Sequence, residues 1–146
     1  AGHGSAVLGT VMYIFGGINL NLGYLNDLHA FDLVARAWTQ IGPTSGIVCE
    51  GGKPVTARYG MGFIGIKSRL LLFGGTGFDG TFDDLLVIEP ASITCTQLNT
   101  SGAAPASRLS PAMAAFGSRA YIFGGKGGSA SGLLGDLWAI GSPSNV

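Results

Sequence analysis

The tripeptide Phe-Gly-Gly occurs three times, as Phe15-Gly16-Gly17, Phe73-Gly74-Gly75 and Phe123-Gly124-Gly125, at spacings of 58 and 50 residues. Self-similarity at a long, nearly fixed period restricts a chain to architectures in which one supersecondary unit is stacked repeatedly. The residues before each double glycine match too: Val11-Met12-Tyr13-Ile14-Phe15, Arg69-Leu70-Leu71-Leu72-Phe73 and Arg119-Ala120-Tyr121-Ile122-Phe123. Each is a short apolar run without polar alternation, the pattern of a strand buried on both faces. The runs are too short for independent helices. They end at two glycines, which permit positive φ or a close backbone approach that a side chain forbids.

Three further marks keep the same order. Asn26-Asp27-Leu28 corresponds to Asp83-Asp84-Leu85 and Gly135-Asp136-Leu137, each opening a second apolar strand. Trp38-Thr39-Gln40-Ile41 corresponds to Cys95-Thr96-Gln97-Leu98, and the third repeat stops before reaching this mark. Arg58 and Arg108 each stand 15 residues before the phenylalanine of their repeat. In the first repeat Gly2-His3-Gly4 occupies that region, and the matching arginine falls one residue before Ala1.

Composition agrees. Glycine supplies 26 of 146 residues, and in a helix interior each costs roughly 1 kcal/mol relative to alanine. Short strands joined by glycine-rich turns fit better. Hydrophobic residues make up 47% of the chain, enough for a core, while 11% are charged and the formal net charge is zero. That balance gives no electrostatic reason to expect nucleic acid or an anionic membrane as partner. No apolar run approaches the roughly 20 residues of a membrane-spanning helix, and no leader peptide is visible at Ala1. The two cysteines, Cys49 and Cys95, are too few for a disulfide-stapled scaffold, and whether they pair stays open. The compartment is open as well, with the cytoplasm slightly favoured.

Together these marks resemble the kelch-repeat family, over nearly all of residues 1–140. The resemblance implies an all-β fold of β-propeller blades, each with four antiparallel strands, around a central channel. Blade one maps to about 2–41, an inter-blade loop to 42–58, blade two to about 59–98, and an incomplete blade three to about 109–140. Propellers close with about four to eight blades, so the expectation for 1–146 is part of a larger propeller, completed by further blades or a second copy. Cys95 in place of tryptophan and Ser110-Pro111 in place of Gly-His depart from the family pattern. The resemblance also places Trp38 between neighbouring blades, where truncation to alanine costs roughly 3–5 kcal/mol.

The implied function is a protein- or peptide-binding scaffold, not an enzyme, with no cofactor, no metal and no catalytic residue assigned. In kelch modules that grip peptides, the position of Arg58 and Arg108 can line the channel mouth and pair with carboxylates through the planar guanidinium. The other reading is that each arginine bonds backbone carbonyls and fixes the inter-blade loop. The loops after the double glycines carry Tyr24, Phe78 and Phe82, which are either exposed anchors of the kind enriched at interfaces or tucked beneath their own loops. Copper radical oxidases use a kelch-like propeller too, so an oxidase domain with its ligands elsewhere is the alternative, beside a purely structural array.

Other motifs carry less. Asp27, Asp84 and Asp136 sit at strand starts, where a carboxylate accepts nearby backbone N–H groups. His3 and His29 read as local structure and form no zinc spacing with the cysteines. Gly125-Lys126-Gly127-Gly128-Ser129-Ala130 imitates a dinucleotide fingerprint, but a strand follows it, not the helix whose N-terminus would hold the phosphates. Asn99-Thr100-Ser101 is a glycosylation triplet, relevant only in a secreted protein.

Overall fold

The computed structural model describes residues 1–99, 102–128 and 132–141; the glycosylation triplet, the imitation fingerprint and the tail lie wholly or partly outside them. The described residues contain strands and no helix. The first sheet has the order β1 (Gly4–Leu8), β2 (Val11–Asn19), β3 (Gly23–Asp32), β4 (Ala37–Ile41). The second contains β5 (Gly62–Ile66), β6 (Arg69–Phe73), β9 (Leu85–Glu89) and β10 (Thr94–Gln97), with the short hairpin β7 (Thr76–Gly77) and β8 (Gly80–Thr81) inserted. The third pairs β12 (Ala112–Phe116), β13 (Arg119–Phe123) and β15 (Leu137–Ile140), flanked by the two-residue strands β11 (Arg108–Leu109) and β14 (Lys126–Gly127). Neighbours within each sheet are antiparallel. These are antiparallel propeller-type blades, two of four strands and one of three among the described residues.

The blades stack face to face, and β6 shows why its sequence is apolar throughout. Successive side chains of a strand point to opposite faces. Leu70 and Leu72 enter a core shared with blade one, beside Phe15, Leu28 and Phe63. Leu71 and Phe73 enter a second core shared with blade three, beside Ala120 and Ile122. A strand sandwiched this way has no solvent face and no polar alternation.

The double glycines answer a close approach between blades. Gly16 and Gly74 have φ of 60° and 68°. A Cβ on Gly16 would lie 2.7 Å from the Arg58 carbonyl oxygen, and one on Gly74 2.6 Å from that of Arg108. The backbone of the segment leading to the next blade passes where a side chain would stand.

This repeat position is buried where the described residues supply the following blade. Phe15 and Phe73 are 0% and 1% exposed, and Phe123, on the last blade, is 52% exposed. Trp38 departs from expectation for the same reason at the other end: it is 56% exposed, not packed between blades. It belongs to the cross-strand row Val7, Met12, Phe31, Trp38, on the face of blade one turned away from blade two, and its ring leans on Phe31 at 4.8 Å. In blade two the matching residue, Cys95, faces blade one and is 1% exposed. It forms a disulfide with Cys49 of the inter-blade connection, and Glu50 N–H donates to the Cys95 carbonyl at 2.9 Å.

Truncation therefore separates the exposed Trp38 from the buried Leu72. Trp38→Ala is expected to cost under ~1 kcal/mol, as an exposed site does, and Leu72→Ala about 2–5 kcal/mol. Urea unfolding of both variants checks this; a Trp38→Ala cost near that of Leu72→Ala would contradict the exposed placement.

Candidate functional site

Two arginines organise the loop face. Arg58 enters between blades one and two. Its N–H donates to the Leu25 carbonyl at 3.0 Å, and its own carbonyl accepts from Gly17 N–H at 2.8 Å, so its backbone belongs to blade one. Its side chain belongs to blade two. Nη1 donates to the Gly74 carbonyl at 3.0 Å and to Asp84 Oδ1 at 2.5 Å, and Nη2 to Asp84 Oδ2 at 2.9 Å. Nε donates to the Thr56 carbonyl at 3.0 Å, and the guanidinium lies 4.0 Å over the Phe82 ring.

Arg108 repeats the arrangement one blade later. Its backbone bonds Phe82 and Gly75 of blade two. Its guanidinium donates to the Ala106 carbonyl at 3.0 Å, the Gly124 carbonyl at 2.9 Å and both Asp136 oxygens at 2.8 Å. The two arginines are 1% and 0% exposed. A buried guanidinium is tolerated when fork-to-fork carboxylate bonds and carbonyls satisfy its donors. Here four of the five N–H donors of each are engaged, and neither guanidinium presents a surface to a partner. The Asp84 and Asp136 carboxylates thus each accept from an arginine with both oxygens. Asp136 also accepts from Trp138 Nε1–H. The Arg108 hydrogen bonds, and then the Trp138 one, hold the Asp136 carboxyl well below the ordinary carboxylate range.

The exposed part of this face is aromatic. Tyr59, next to the buried Arg58, is half-buried and pairs with Thr76 in an isolated antiparallel bridge. Tyr59 stacks on Tyr24 with centroids 5.7 Å apart, and Phe78 meets Tyr24 edge-on at 4.6 Å. Phe78 is 80% exposed, and Leu20 and Leu22, at the tip of the β2–β3 hairpin beside it, are 100% and 74% exposed. Beyond Tyr59 opens a cleft of about 530 Å³ between the loops of blades two and three, bordered by Thr76, Asp79, Ser107, Leu109 and Lys126.

The five residues singled out in the sequence therefore divide. Tyr24 and Phe78 come together on the surface. Phe82 lies under the Arg58 guanidinium, and Arg58 and Arg108 lie beneath the loops. Tyr59, Leu20 and Leu22 were not singled out; the signal for Tyr59 was its place directly after the repeated arginine. Among the described residues no group of three or more His, Cys, Asp and Glu side chains is placed to hold a metal ion.

Comparison with known proteins places these features in context. The sequence matches the KLHDC2/KLHL20/DRC7 Kelch-repeats domain over residues 1–145. It is 29% identical over 144 residues to human Kelch domain-containing protein 3, covering 92% of this chain and 36% of that protein. It is 32% identical over 125 residues to acyl-CoA-binding domain-containing protein 5 of Arabidopsis thaliana, covering 85% of this chain and 18% of the relative. It is 31% identical over 132 residues to N-(sulfonatooxy)prop-2-enimidothioate sulfolyase of Thlaspi arvense, covering 86% and 36%. The chain spans about a third or less of the length of each of these relatives.

The depressed Asp136 carboxyl sets an acid limb of stability. A group whose folded pKa lies below its unfolded value stabilises the fold above the unfolded value, near pH 4, and loses that contribution as pH falls through the folded one. Asp136→Asn is expected to flatten the fall in thermal midpoint on acidification below about pH 4. An unchanged acid limb in the variant would show that Asp136 carries none of it.

Proposed function

The chain belongs to the kelch-repeat family, and from that premise we propose that it is a protein- or peptide-binding scaffold whose contact surface is the aromatic ledge of Tyr24, Tyr59 and Phe78. The observation that carries this reading is the ledge itself. Aromatic rings are the side chains that most often dominate interface energetics, and these three stand on one face, Tyr24 at the start of β3 and Tyr59 and Phe78 on the connections around the buried Arg58–Asp84 pair. Rigid support matters because ordering a mobile loop on binding subtracts from affinity. The cleft beside Tyr59 supplies a concave neighbour, with Asp79 and Lys126 offering one charge of each sign.

In this reading Arg58 and Arg108 act on a partner indirectly, by fixing the loops that carry the rings. Phe82 acts through Arg58. The partner is a peptide or protein segment with apolar side chains that reach Phe78 and the Leu20–Leu22 tip. A second reading, an enzyme domain, is favoured by one observation, the similarity to a plant protein named as a sulfolyase; the chain spans 36% of that protein.

Peptide-display selection on the immobilised chain provides the test. Peptides recovered on the wild-type chain are expected to bind the Phe78→Ala variant roughly 30-fold more weakly, the loss of a ~2 kcal/mol hot spot. The thermal midpoint should stay unchanged, because Phe78 is mostly exposed. Equal binding to both chains by every selected peptide would overturn the ledge as the contact surface.

A further inference from the structure

The β7–β8 hairpin carries an unpaired strand edge. Tyr59 N–H donates to the Thr76 carbonyl at 3.0 Å, and Thr76 N–H donates to the Tyr59 carbonyl at 2.9 Å. Both backbone groups of Thr76 thus face Tyr59. The antiparallel partner of Thr76 within the hairpin is Thr81. Opposed residues of an antiparallel pair either exchange both bonds or turn both away from each other. The Thr81 N–H and C=O therefore point out of the hairpin, on the side remote from β7. The bond from Phe82 N–H to the Gly75 carbonyl, at 2.9 Å, is the one that flanks a pair of this kind. Among the described residues no backbone group bonds to the outer edge of Thr81.

Thr81 borders the cleft of about 530 Å³ between the loops of blades two and three. Gly80 stands beside it, and Gly127 and Gly128 border the same cleft from blade three. Positions without side chains let another backbone come close. The charges here are open as well. Asp79 and Lys126 share the cleft, and neither makes an ion pair among the described residues. A carboxylate and an ammonium that share a cleft without pairing leave each free for a group of the opposite sign.

We propose that a partner peptide enters this cleft as an extended strand added to the outer edge of β8. One of its residues exchanges both backbone bonds with Thr81, a basic side chain meets Asp79, and an acidic one meets Lys126. This deepens the reading of the chain as a peptide binder and rests on it. Main-chain bonds give an added strand affinity, and side-chain partners give it specificity. The ledge and the cleft meet at the tip of the hairpin, where Phe78 contacts Tyr24 and the next residue, Asp79, borders the cleft. One peptide thus reads both, with an apolar residue on the ledge and the charged pair in the cleft.

The test selects end-blocked octapeptides on the immobilised chain, so that neither peptide terminus supplies a charge. In the free chain the Thr81 N–H is expected to exchange with solvent as an open amide, and bound peptide to slow it roughly tenfold or more. N-methylation along a selected peptide is expected to weaken binding roughly tenfold at one position, the residue opposite Thr81, and little at the residues on either side. Lys126→Glu should weaken the same peptides roughly fivefold, and exchanging the peptide's acidic residue for lysine should restore binding to that variant. Peptides that lose affinity on Phe78→Ala, yet tolerate N-methylation at every position and leave Thr81 exchange unchanged, would overturn strand addition and leave the ledge standing. Peptides indifferent to Phe78→Ala that still protect Thr81 would keep strand addition and remove the ledge. Recovery of no peptide would overturn both.

Discussion

The stack depends on a buried guanidinium shared between two blades. Arg58 gives its backbone to blade one and its side chain to blade two, and Arg108 repeats this between blades two and three. A hydrophobic interface alone is non-directional and leaves blades free to slide. A planar fork bonded at once to a carboxylate and a carbonyl fixes distance and angle together. The double glycines belong to the same device, since the arginine carbonyl passes where their Cβ atoms would stand. The exposed aromatic ledge inherits its order from this layer beneath it.

The apolar cores supply the magnitude of stabilisation and the polar ties supply the register. Leu70 and Leu72 on one side of β6, and Leu71 and Phe73 on the other, bury the strand completely. Among the described residues, Phe123 of blade three and Trp38 of blade one lie on the outer sheet faces of the stack and are exposed. In blade two the tryptophan position is filled by Cys95, and its disulfide to Cys49 ties the inter-blade connection to the outer strand. One slot in the repeat thus holds an exposed ring in blade one and a buried covalent link in blade two.

Much of the architecture was legible before any coordinates. The buried strand β6 announced itself because a run such as Leu70-Leu71-Leu72 has no polar face to give to water, and three in-register copies left one fold class. The arginine–aspartate pairs were harder, because 26 and 28 residues separate the partners and each residue has an adequate local explanation. Trp38 was misplaced because its repeat position is defined by a neighbour that the described stack does not contain at that end. Phe82 and Phe78 look alike in sequence; only the fold shows that one lies under a guanidinium while the other faces solvent. Pairing of Cys49 with Cys95 turned on the approach of an irregular connection to β10, which no local pattern encodes.

The most direct measurement is a double-mutant cycle on Arg58 and Asp84, with Arg58→Ala, Asp84→Ala and the double variant unfolded in urea at neutral pH. A buried, bidentate tie is expected to give a coupling energy of about 2–3 kcal/mol, with each single variant losing nearly as much as the double. A coupling below ~0.5 kcal/mol, with additive single losses, would contradict the view that this pair joins the blades.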